Sequence, residues 1–111
     1  MRYCTEPNER NGGSYHEFYR GKWNETTFWK KDSLLLHDDV LYSIDGFTSA
    51  ISTVFPDYSP AGEVEISMYQ WRQIGELINP KDSDARALYD EIDQWAKTAF
   101  DRDGCFTILG I

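Results

Sequence analysis

Hydrophobic and polar positions change period four times along the chain, and those changes divide it into elements. Asn11-Gly12-Gly13 is a strong turn signal. After it, Tyr15, Glu17 and Tyr19 alternate with His16, Phe18 and Arg20, which predicts a half-buried strand over 14–20 that ends at Gly21. Residues 26–30 are β-branched and aromatic and predict a second strand. Lys31-Asp32 then turns the chain into a third, Leu-rich strand over 33–36, completing a small antiparallel meander. From there the period lengthens. Val40, Ile44, Phe47, Ile51 and Val54 draw one apolar stripe along a helix that Pro56 stops. Asp38 or Asp39 suits its start, and Gly46 inside it marks an expected close packing contact.

Glu63-Val64-Glu65-Ile66 alternates as a short strand, and Ser67 with Gln70 forms a capping-box pattern opening a helix over 68–79. Trp71, Ile74, Leu77 and Ile78 give its stripe, and Pro80 closes it. Asp82 or Ser83 caps a third helix with the stripe Ala85, Leu88, Ile92, Trp95 and Ala99. Its other face holds the i,i+4 pairs Arg86–Asp90 and Asp93–Lys97, a solvated face. A turn over 101–104 and a last strand over 105–109 follow. The order β-β-β-α-β-α-α-β lacks regular βαβ alternation and predicts an α+β fold. The expected architecture is one domain over 1–111, a small antiparallel or mixed sheet with about three helices on one face.

Composition narrows the partners. The chain has 111 residues, 19 acidic and 11 basic side chains, and a formal charge of −8, which disfavours nucleic acid and anionic membranes. The charge is uneven. Residues 1–31 hold six basic and four acidic side chains, whereas residues 32–111 hold five basic and 15 acidic ones. Between Asp32 and Trp71 there are seven acids (Asp32, Asp38, Asp39, Asp45, Asp57, Glu63, Glu65) and no Lys or Arg. Such a window suits a basic partner. The N-terminus lacks the apolar stretch of a secretory signal, and no apolar run approaches the roughly 20 residues needed to span a bilayer. A cytoplasmic protein is therefore expected. Cys4 and Cys105 could bridge if the chain ends pair in one sheet, but a cytoplasm favours two reduced thiols.

Catalytic chemistry has few candidates. No Gly-rich phosphate loop, nucleophile elbow or His-Glu-x-x-His motif is present, and the spacing of Cys4, Cys105, His16 and His37 matches no metal-ligand pattern. No cofactor is expected. His16 reads as a surface or half-buried strand residue. A small enzyme or metal-binding protein would have to use His37 with Asp38 and Asp39, or the Glu63/Glu65 pair on one strand face. A binding surface has more to draw on. Asp38, Tyr42 and Asp45 lie opposite the first helix's apolar stripe, and Asp57-Tyr58 adds a second acid–aromatic pair. With Asp39, Glu63 and Glu65 they make the candidate partner-binding set.

Several phrases carry a resemblance: Leu34-Leu35-Leu36-His37-Asp38-Asp39-Val40, the Phe-Pro-Asp-Tyr loop at 55–58, Ser-Met-Tyr-Gln-Trp at 67–71, Trp95, and Phe106-Thr107-Ile108-Leu109-Gly110-Ile111. Their arrangement over 28–111 resembles small immunity proteins of bacterial polymorphic toxin and contact-dependent growth inhibition systems. The resemblance implies a cytoplasmic protein without activity of its own that neutralises the C-terminal domain of a cognate toxin, commonly a nuclease. It implies no particular site residues. A nuclease must bind a polyanion, so a basic toxin cleft would suit the acidic window. An adaptor subunit for another basic partner fits the same charge.

Overall fold

The computed structural model describes Met1–Gly110, and its centre is the alternating strand β2 (Tyr15–Arg20). β2 pairs antiparallel with β3 (Leu34–His37) on one side and with β5 (Cys105–Gly110) on the other. Beyond β3 lies β1 (Cys4–Thr5), and beyond β5 lies β4 (Glu63–Ser67). The five-stranded sheet has the order β1-β3-β2-β5-β4 and is antiparallel throughout. The helices α1 (Asp38–Ser43), α2 (Asp45–Val54), α3 (Met68–Leu77) and α4 (Ser83–Asp103) complete an α+β fold. Phe18, Leu34, Leu36, Ile66, Phe106 and Ile108 of the sheet share one core with Phe47, Trp71, Ile74, Leu88 and Ile92 of the helices. No described helix is long and apolar enough to cross a membrane.

The opposite sheet face is closed too, by a different device. Glu17 points there and is 0% exposed. Its carboxylate accepts the backbone N–H of Trp29 at 2.7 Å and of Lys30 at 2.9 Å, and the Ser33 hydroxyl at 2.6 Å. Those bonds fold the 21–33 segment over the sheet. This corrects the expected strand over 26–30: two of its backbone donors go to Glu17, and Trp29, at φ 57°, is in the left-handed region where a strand cannot continue. The place beside β3 is taken by β1, through Cys4↔Leu36 and Thr5↔Leu35.

Three further expectations change. The stripe from Val40 to Val54 spans two helices, because Ile44 at φ −113°, ψ 75° interrupts the ladder. The break seats α2 closely on α4. A Cβ at Gly46 would collide with the Asp82 carboxylate and stand 3.1 Å from the Ala85 Cβ, which fulfils the expected close contact. Helix α4 runs through the expected turn to Asp103, and the turn contracts to Gly104, a left-handed cap at φ 79° whose N–H reaches the Phe100 carbonyl at 3.0 Å. Leu77 is exposed, and Gly75, packed under the Tyr89 ring, completes the α3 stripe instead. The capping box of Ser67 and Gln70 forms as expected, at 3.2 and 3.0 Å.

Both cysteines are free. β1 and β5 are separated by β3 and β2, which puts them about 14 Å apart at normal strand spacing, too far for a bridge. Burial, reinforced by Glu91, pushes the Cys4 thiol far up.

The N-terminal segment is fastened to α4 by Glu91. Its carboxylate accepts the N–H groups of Arg2 (2.7 Å), Tyr3 (3.0 Å) and Cys4 (2.6 Å). Burial raises the Glu91 carboxyl, but those donations outweigh it and hold the group below its ordinary range. A lowered folded-state pKa gives stability that is present above the unfolded value of about 4.3 and lost as pH falls through the folded value. Wild type should therefore exceed Glu91→Gln in stability by a constant margin above about pH 5, and the margin should shrink in more acidic solution. Urea midpoints of both proteins across that range check it. Parallel curves would contradict the assignment.

Candidate functional site

The alternation of β2 puts His16 on the same face as Phe18, toward the helices. Its ring is 1% exposed, not the surface or half-buried residue expected. Nδ1 lies 2.7 Å from the Asp38 carboxylate, and Nε2 lies 2.9 Å from the Pro60 carbonyl. Each ring nitrogen thus has an oxygen partner, which a buried imidazole needs. Strand β2, the start of α1 and the 55–62 loop are thereby joined at one ring. Gly110 permits the approach: a Cβ there would collide with the Pro60 carbonyl, and the Gly110 N–H instead reaches Gly62 O at 2.8 Å.

Asp38, named as a partner-binding residue, is thus held by His16. It does not pair with His37, whose Nδ1 accepts the Asp39 N–H at 3.1 Å and caps α1. Asp38 turns inward to His16, whereas the His37 ring stays beside Asp39, its Nδ1 3.8 Å from the Asp39 carboxylate, so the three side chains do not share one site. Glu63 and Glu65 do share one face of the edge strand β4. Among the described residues no group of three or more His, Cys, Asp or Glu side chains is arranged to hold a metal ion.

Tyr42 stands over His16, with ring centroids 6.0 Å apart, and remains 50% exposed. Tyr58 lies half-buried nearby; burial, with Tyr42 and Asp38 adding to it, pushes its hydroxyl up to about 12. Asp57, Tyr58 and Glu63 line one cleft of about 190 Å³ with Phe55 and Val64. Glu63 also lines a second groove, of about 330 Å³, with Trp23, Phe28, Leu109 and Gly110. The sequence-predicted residues Asp38, Tyr42, Asp57, Tyr58 and Glu63 are brought together around Tyr58 and the 55–63 loop. Asp39, Asp45 and Glu65 are exposed and line neither cleft.

Ion pairing separates the acids of the basic-free window. Asp32 lies 3.7 Å from Arg20 and 3.9 Å from Lys30. Asp39, Asp45, Asp57, Glu63 and Glu65 have no Lys or Arg within 4 Å among the described residues. The mildly basic N-terminus is used internally as well, with Arg2 at 3.6 Å from Asp84.

Trp23 and Phe28 escaped the sequence reading. Their loop carried one signal, Asn24, whose side-chain oxygen accepts the N–H groups of Thr26 (3.0 Å) and Thr27 (2.9 Å) as an Asx turn does. A larger cleft, about 500 Å³, lies elsewhere, between α3 and α4. Its rim is internally paired: Asp93 accepts the Trp71 indole N–H at 2.9 Å and meets Lys97 at 3.6 Å, while Tyr89 stacks on Trp71 with centroids 4.3 Å apart.

No protein-family model, curated protein or solved structure matches the chain.

The two kinds of acid in the candidate set separate by substitution. Asp38→Asn should lower stability by about 2 kcal/mol, since it weakens a charged hydrogen bond to a buried ring. Asp57→Asn should stay within about 0.5 kcal/mol of wild type. Urea unfolding measures both. Equal effects would show that the His16–Asp38 bond adds nothing.

Proposed function

We propose that the chain is an immunity protein that binds and neutralises the C-terminal domain of a cognate toxin in the cytoplasm. The toxin domain is basic, in keeping with a nuclease. The chain acts by binding, uses no cofactor, and engages neither nucleic acid nor membrane. The observation that carries this reading is the pairing pattern. Asp39, Asp45, Asp57, Glu63 and Glu65 have no Lys or Arg within 4 Å among the described residues, while Asp57 and Glu63 line the cleft at Tyr58 and Glu63 also lines the groove of Trp23 and Phe28.

Unpaired acids supply long-range attraction, and tyrosines supply contact area with little rotamer entropy to lose. A nuclease cleft built for phosphates offers the complementary charge. The resemblance of its phrases to immunity proteins of contact-dependent growth inhibition systems supports the same reading.

The reading expects a toxic domain to be encoded immediately upstream of this gene, and co-expression with such a domain tests it. Growth should be rescued, and the two proteins should copurify as a stoichiometric complex. Loss of rescue with every such domain would contradict the reading. In that complex, the triple variant Asp57→Lys, Glu63→Lys, Glu65→Lys should associate about tenfold more slowly at low salt, with a flatter salt dependence. Unchanged association kinetics would place the interface on another face.

A further inference from the structure

Glu63 stands between two clefts, and the one formed with Trp23 and Phe28 has the makings of a specific receptor. We propose that this groove receives a cationic side chain, arginine or lysine, presented by a protein partner. The partner half of this inference rests on the function proposed above, whereas the chemistry of the groove does not.

The walls are aromatic and fixed. Trp23 and Phe28 pack against each other with ring centroids 5.1 Å apart and planes inclined by 50°, and both line the groove. The Trp23 indole donates to the Thr27 carbonyl at 2.8 Å, and the Asn24 amide donates to the Thr27 hydroxyl at 2.9 Å. Glu25 and Trp29 hold left-handed backbone at φ 68° and 57°, which non-glycine residues adopt only when their surroundings impose it. The imposing group for Trp29 is Glu17, beneath the loop. Phe28 remains 42% exposed, a large apolar ring held at the surface.

The charge at the groove is negative and uncompensated. Glu63 has no Lys or Arg within 4 Å among the described residues. The nearest cation in sequence to the aromatic pair, Lys22, acts on Cys105 at the opposite end of β5. Ring faces carry partial negative charge and attract a cation within about 6 Å of the centroid, most strongly for Trp. An anion would be repelled by both rings and carboxylate. An apolar group would strip water from Glu63 and give it no partner. A guanidinium or ammonium group satisfies both walls at once, and a guanidinium can also stack flat on a ring.

The full chain titrated with N-acetyl-arginine amide, followed by NMR, tests the groove. Saturable shifts are expected at the Trp23 indole N–H and at the Gly62 and Glu63 amides. N-acetyl-citrulline amide, the neutral near-isostere, should bind about tenfold more weakly or worse. Glu63→Gln and Phe28→Ala should each abolish the shifts while leaving the rest of the spectrum unchanged. Absent shifts, equal binding of the citrulline compound, or full binding by either variant would overturn the proposal. The probe needs no toxin. Shifts without any neutralised toxin would fault only the immunity reading, and neutralisation without shifts would fault only the groove.

Discussion

A carboxylate with no exposure to water, Glu17, is the constraint on which the second half of the architecture depends. Taking such a charge out of water costs several kcal/mol unless donors replace the lost hydration. Three donors do so, and all belong to the Trp29–Ser33 stretch. The loop therefore cannot lift without leaving a buried carboxylate bare. Its closure helps keep Leu35, Thr107 and Leu109 from water on the face that the helices do not reach. The same closure holds Trp23 and Phe28 beside the end of β5.

A second buried polar group performs the equivalent task on the helical side. His16 ties β2 to Asp38 and Pro60, and so fixes the 55–62 loop against the glycine that ends β5. Glu63 follows that loop and precedes the rest of β4, so its position depends on both anchors. β4 is also an edge strand, and charged side chains at an edge discourage pairing with further strands. The carboxylates of Glu63 and Glu65 thus protect the edge and supply unpaired negative charge there. The overall charge of −8 conceals this division. Part of it is neutralised internally, by Arg2 at Asp84 and by Arg20 and Lys30 at Asp32.

Periodicity made most of the fold legible. β2, β3, β4, β5, α3 and the body of α4 lie where alternation or a helical stripe put them, because each buries one face against a common core. The features that were not legible have non-local causes. A two-residue strand such as β1 has no periodicity to detect, and its position is set by pairing with β3 and by Glu91. The 26–30 segment has strand-forming residues, but the Glu17 carboxylate more than ten positions earlier overrides their propensity. The break at Ile44 lies two residues before Gly46, whose close approach to Asp82 and Ala85 is a tertiary contact that no local pattern records. Of the candidate site, Asp57, Tyr58 and Glu63 were recoverable as acids and aromatics without basic neighbours. Asp38 was recovered too, yet its carboxylate is committed to His16. That pairing follows from β2 alternation once Phe18 is placed in the core.

The central claim is that a basic protein docks on the surface formed by the 23–28 and 55–65 segments. Hydrogen exchange of the chain, free and bound to a toxin domain it neutralises, tests this most directly. The account predicts that binding slows exchange in those two segments and leaves the exposed face of α4 unchanged. Slowed exchange confined to α3 and α4, around the larger cleft, would contradict it.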